Sequence, residues 1–181
     1  MLDRYMSLYL VRHTPVALPQ GICYGWLEVP LSEDYPRYVT QIIAELREVQ
    51  LDKVYSSPSL RCVVLAEAIA LTKGLTVHQD ERLRELNFGA WEGLPWEEVY
   101  EQEAGRAWFA DYWHAKTEGG ESHDDLLARV ADFEAERDKG SQTLLVTHAG
   151  VIRAYRILLG KLSPSEAMAL EVNFGEIYQY E

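Results

Sequence analysis

Two stretches of this sequence place a histidine where an apolar run stops. Ser7 to Val11 ends at Arg12-His13, just ahead of a Pro-containing loop, and "LLVTHAGVIRAYRIL" ends its run at His148, followed by Ala149 and Gly150. An imidazole there is a nucleophile when neutral and a hydrogen-bond donor to an anion when protonated. A third short β-type run, in "YSSPSLRC", is followed by Arg61. Guanidinium forks match phosphate oxygens bidentately, so Arg12 and Arg61 suit an anion site. Glu85, in "RLRELNFGAWEG", adds a carboxyl in an irregular, aromatic-rich stretch. Partial burial there favours the protonated form that a proton donor needs. Each residue alone has an ordinary reading: Arg61 as a solvated helix residue, His148 as a satisfied strand end, Glu85 as a surface acid. It is the set that points to chemistry.

These side chains can meet only if the runs are neighbouring strands of one sheet. In open α/β sheets, ligands bind at the carboxyl ends of the strands, near a topological switch point. The rest of the chain has the required alternation. Helical spacing over 38–49 is followed by a strand at 53–57 and a helix over 59–74 with Gly74 as its stop. A strand follows at 75–80, then one or two irregular Trp- and Tyr-rich helices over 94–116. Residues 121–140 read as a helix capped by Glu121 and Ser122 and stopped by Gly140. The stretch 141–160 reads as strand, turn and helix, with a short helix at 162–170 and a final strand over 171–181. A mainly parallel α/β sheet, covered on both faces, is expected. The small residues after His148 leave backbone N–H groups open at a helix start, which favours an anion.

Bulk properties narrow the partners. The 181 residues suit one domain, 1–181, with a substantial core. A formal net charge of -12 argues against nucleic acid or an anionic membrane surface. It leaves an anionic substrate dependent on local arginines. No run approaches the roughly 20 apolar residues of a membrane span, and residues 1–11 carry no signal-type apolar segment. Cys23 and Cys62 lack C-x-x-C spacing and read as reduced thiols, so a cytoplasmic location is expected. No metal-ligand spacing is present, and no cofactor is expected.

Arg12-His13, Arg61, Glu85 within "ELNFGAWEG", "GGES" at 119–122 and Thr147-His148-Ala149-Gly150 together resemble the histidine phosphatase superfamily, also called phosphoglycerate mutase-like. The matches keep the family's order from residue 8 to about 175, and "SSPSLRC" is similar to its Ser-Ser-Pro-Leu-x-Arg-Ala box. The resemblance implies a three-layer α/β/α sandwich and metal-independent phosphomonoester chemistry. By position, it implies His13 as the nucleophile that takes up the phosphoryl group. Arg12, Arg61 and His148 would hold the phosphate, and Glu85 would serve as general acid and then base. The chain departs from the family after the nucleophile: where Arg-His-Gly-Glu-Thr is usual, it has Arg12-His13-Thr14-Pro15-Val16. Cys23, Tyr24 or the Gly25 amide are candidates to replace the missing polar groups.

Gly21-Ile22-Cys23-Tyr24-Gly25 followed by Val29-Pro30-Leu31 looks like the α-ribazole phosphatase branch. That likeness implies removal of the 5'-phosphate of α-ribazole phosphate in adenosylcobalamin nucleotide-loop assembly. Tyr24, Trp26, Trp91, Trp96 and Trp113 are candidates to stack on a flat benzimidazole. A general small-molecule or sugar phosphatase and a phosphoglycerate mutase remain as alternatives, with a non-catalytic binding module on the same fold a remote one. Against the mutase, the stretch between Glu85 and Gly119 holds only Arg106 and Lys116 as cations, facing seven acidic residues.

Overall fold

The apolar run at the start of the chain becomes the strand β1 (Leu8–Arg12), and the second becomes β4 (Thr143–Thr147). In the computed structural model, which describes residues 7–180, the two pair in parallel, with Arg12 opposite Thr147. The sheet has five strands in the order β3-β2-β4-β1-β5, where β2 is Lys53–Ser56, β3 is Val77–Gln79 and β5 is Ile177–Tyr180. Only the β1–β5 pairing is antiparallel. The carboxyl ends of β2, β4 and β1 therefore open side by side on one edge, as the placement of the chemistry requires.

Both faces of the sheet are covered, which explains why its central strands read as continuous apolar runs. Leu8, Leu10 and Leu145 pack with α5 (His123–Glu136) and α6 (Ala149–Leu158) on one side. Tyr9, Val11, Leu144 and Val146 pack with α1 (Tyr35–Glu45) and α2 (Leu60–Lys73) on the other. This is the three-layer α/β/α sandwich expected, with its mainly parallel central sheet.

Local chemistry sets the element ends. Gly74 closes α2 in the left-handed region, at φ +66°. Ser122 and Asp125 form a reciprocal capping box that starts α5. That helix ends at Glu136 rather than at Gly140, and α1, at Tyr35–Glu45, lies earlier than the 38–49 its apolar spacing suggests. The aromatic middle folds as α3 (Trp96–Glu101) and α4 (Glu103–Ala110), packed so tightly that a Cβ on Gly105 would meet the Val99 carbonyl. A short α7 (Pro164–Ala169) precedes the last strand, which spans four residues rather than the eleven expected. Residues 1–6, part of the expected signal-free N-terminal stretch, and Glu181 lie outside the described residues. No described helix is long and apolar enough to cross a membrane.

Candidate active site

At the edge where β1 and β4 end lies a cavity of about 260 Å³ lined by Arg12, His13, Tyr24, Arg61, Glu85 and His148, among others. All five residues singled out for chemistry thus face one space. The parallel register delivers the two histidines: the His13 amide continues the ladder to the Thr147 carbonyl (2.9 Å), and the rings stand edge-on with centroids 5.2 Å apart.

His13 is buried, and its Nδ1 lies 2.7 Å from the Thr14 carbonyl. A carbonyl only accepts, so Nδ1 carries the proton and Nε2 keeps its lone pair. Burial, then Arg61 and Arg12, hold the imidazole well below its usual 6.5, in the neutral form. Buried His148 is displaced the same way, by burial first and then by Arg61 and His13. Its Nε2 lies 2.8 Å from Ser57 Oγ and its Nδ1 3.4 Å from Arg61 Nη2.

The guanidiniums are fixed by backbone rather than by carboxylates. Arg61 is fully buried and donates to the carbonyls of Gly25 (2.5 Å) and Leu27 (3.1 Å). Arg12 donates to the Val172 carbonyl (2.5 Å) and lies over the Phe174 ring at 3.7 Å. A cation–π contact between two half-buried side chains is worth about 1 kcal/mol. Arg12 Nε and Arg61 Nε find no acceptor among the described residues, so both keep donor capacity for an anion's oxygens.

Glu85 corrects one expectation. The open amide foreseen after His148 is taken: Gly150 N donates to both carboxylate oxygens of Glu85, at 3.1 Å each. The start of α6 is thus occupied by the protein's own Glu85 side chain.

Of the three candidates named for the loop after the nucleophile, the structure brings one, Tyr24, to the site. Cys23 is buried in the core, where burial pushes its thiol up. Gly25 contributes its carbonyl, to Arg61, rather than its amide. Tyr24 alone of the three lines the cavity, with its hydroxyl beside Arg12. Among the proposed stacking aromatics, Trp96 lines the cavity. Trp91 is core, Trp26 donates from Nε1 to the Glu85 carbonyl (2.8 Å), and Trp113 stacks on His123.

Beyond Glu85 lies a second chamber of about 350 Å³, which shares Glu85, Phe88, Trp96 and Arg153 with the first. Trp96 and Trp108 stack in its wall with centroids 5.9 Å apart. His123 is held neutral by burial and donates from Nδ1 to the Tyr112 carbonyl (2.6 Å). Arg153, Trp108, His123, Phe174 and Ser57 were not foreseen as site residues. Arg153 lies three residues after Gly150, close to one helical turn, and that spacing is its single sequence signal.

Half-buried Arg12 and buried Arg61, facing a neutral imidazole lone pair and a carboxyl, can hold an anion in the arrangement that phosphoryl transfer needs. The histidine phosphatase superfamily (branch 1) family model matches residues 8–181, and the chain belongs to that superfamily. It is 35% identical over 162 residues to phosphoserine phosphatase 1 of Hydrogenobacter thermophilus, covering 86% of this chain and 77% of that one. A 2,3-bisphosphoglycerate-dependent phosphoglycerate mutase of Cytophaga hutchinsonii is 28% identical, over 87% and 78%. The α-ribazole phosphatase structure from Shigella flexneri superposes with a TM-score of 0.86 at 26% identity, covering 96% of this chain and 89% of that one. Family and relatives together support a phosphatase.

Proposed function

We propose that the protein hydrolyses phosphomonoesters through a phosphohistidine, and that α-ribazole 5'-phosphate is the ester its site favours. The observation that carries the reading is the His13 tautomer, which leaves Nε2 unprotonated beside Arg12 and Arg61. Nε2 attacks phosphorus, the ester P–O bond breaks, and Glu85 gives its proton to the departing alkoxide. Arg12 and Arg61 stabilise the charge that spreads over the equatorial oxygens, and His148 lines the same space. Glu85, now a carboxylate, takes a proton from water as that water attacks phosphorus. The P–N bond breaks and inorganic phosphate leaves. The scheme routes no step through a metal or an organic cofactor.

The leaving group would lie in the second chamber, on the far side of Glu85. Its Phe88, Trp96, Trp108 and Phe109 walls suit a flat aromatic group, which favours the benzimidazole of α-ribazole. Structural likeness to α-ribazole phosphatases supports this choice, and a cytoplasmic role in cobalamin nucleotide-loop assembly would follow from it.

One observation favours a second reading. Arg153 brings a cation to the junction of the two chambers and would pair with a carboxylate, as in phosphoserine. A phosphate-release panel separates the two readings. The expected kcat/KM for α-ribazole 5'-phosphate exceeds that for phosphoserine, 3-phosphoglycerate and fructose 2,6-bisphosphate by at least roughly tenfold, or about 1.4 kcal/mol of differential transition-state binding. Phosphoserine in first place establishes the second reading. A flat profile indicates a general phosphatase, and dominant phosphoglycerate mutase activity overturns the hydrolase.

A further inference from the structure

Glu85 is held through its own backbone by a side chain that the reaction scheme does not use. Arg129, on α5, commits all five guanidinium hydrogens. Its Nε donates to Glu121 Oε1 at 2.8 Å, and Nη1 to the carbonyls of Arg82 and Arg84 at 2.7 Å each. Its Nη2 donates to the Glu85 carbonyl at 2.8 Å and to Glu121 Oε2 at 3.0 Å. Glu121, from the "GGES" stretch, also accepts the Asn87 amide at Oε2 and returns its own amide to the Asn87 carbonyl, both at 2.9 Å.

Every backbone group so fixed lies between residues 82 and 87, with Glu85 in the middle. The pair itself is largely shielded, at 15% and 19% exposure, and neither residue lines either chamber. A bridge that only joined α5 to the loop would need one contact, whereas this one fixes three carbonyls and an amide around a single carboxyl.

We propose that Arg129 and Glu121 are positioning residues that set where the Glu85 carboxyl stands relative to the ester oxygen. The inference rests on Glu85 as the proton donor. Proton transfer demands hydrogen-bond reach, and a displacement of about 1 Å costs on the order of a hundredfold in rate.

The test compares Arg129→Lys and Glu121→Gln on two esters: the alkyl phosphate that the parent enzyme turns over fastest, and p-nitrophenyl phosphate, whose leaving group scarcely needs a proton. A lysine has one nitrogen and cannot reproduce the fork. The expected fall in kcat is about ten- to hundredfold on the alkyl ester and no more than about threefold on the aryl ester, with KM nearly unchanged on both. In the double variant Glu85→Gln/Arg129→Lys, the second change should cost nothing further on the alkyl ester. Should Arg129→Lys fail to fold, Glu121→Gln keeps the side-chain shape and carries the same comparison. Equal losses on both esters, no loss on either, or additive losses in the double variant overturn the inference. A Glu85→Gln variant that slows both esters alike removes the proton-donor reading and this inference with it. A selective Glu85→Gln beside an unselective Arg129→Lys overturns the inference alone.

Discussion

The Gly150 amide lies 3.1 Å from both carboxylate oxygens of Glu85, so the start of α6 and the carboxyl are seated against each other. A Cβ on Gly150 would stand 2.1 Å from Glu85 Oε1, the mobile end of a side chain. Gly150→Ala therefore displaces the carboxyl at small cost to the fold, and alanine's helix propensity returns up to about 1 kcal/mol. The expected outcome is a kcat on alkyl phosphates at least about tenfold lower, with a nearly unchanged melting temperature. Unchanged turnover would mean that Glu85 works from another position.

His13→Ala should abolish hydrolysis while leaving the circular dichroism spectrum intact. Brief incubation of the parent enzyme with a labelled phosphomonoester and an alkaline quench should trap protein-bound phosphate that is stable to base and labile to acid. Absence of such label, or equal hydrolysis by the variant, removes His13 as the nucleophile.

Acid should weaken the fold through its buried imidazoles. His13 and His148 sit well below their usual 6.5 because burial excludes their charged forms. In the unfolded chain each titrates near 6.5, so below that pH the unfolded state binds more protons and stability falls. Each contributes about 1.4 kcal/mol per pH unit while the folded form stays neutral. Exposed His114, raised beside Asp124, offsets part of the slope. Urea unfolding in phosphate-free buffer should show a loss of at least about 2 kcal/mol between pH 7 and pH 5, with a shallower slope in His13→Asn. A stability that is flat over this range contradicts the account.

Exhaustive chelation should leave turnover almost unchanged, because Arg12 and Arg61 already supply the positive charge that a metal would bring. A large loss restored by one divalent cation would show that the site works differently.

The readable parts of this molecule were those written locally. An apolar run that stops at a histidine identifies a strand and its exit, so His13, His148 and Arg61 could be found by position. Which strand lies beside which depends on contacts between residues far apart, and the antiparallel last strand left no local mark. The aromatics show the limit more sharply. Trp91 and Trp108 are alike in the sequence, and both pack into the core cluster. Only Trp108 also reaches a cavity wall, because the short α3 and α4 turn it there. Arg129 reads as an ordinary helix cation, since the carbonyls it binds lie more than forty residues away in the chain.

The seat of Arg12 is built from Val172 and Phe174, and the outer neighbour of β1 from Ile177–Tyr180. During synthesis Arg12 leaves the ribosome 160 residues before the Val172 carbonyl that holds it. A chain stalled near residue 170 would contain His13, Arg61, Glu85 and His148, yet Arg12 would have no backbone or ring to rest on. Contacts this distant in sequence also cost loop-closure entropy before they stabilise anything, which slows folding. The seat of Arg12 is therefore assembled only after Val172 and Phe174 have been made, long after the arginine itself.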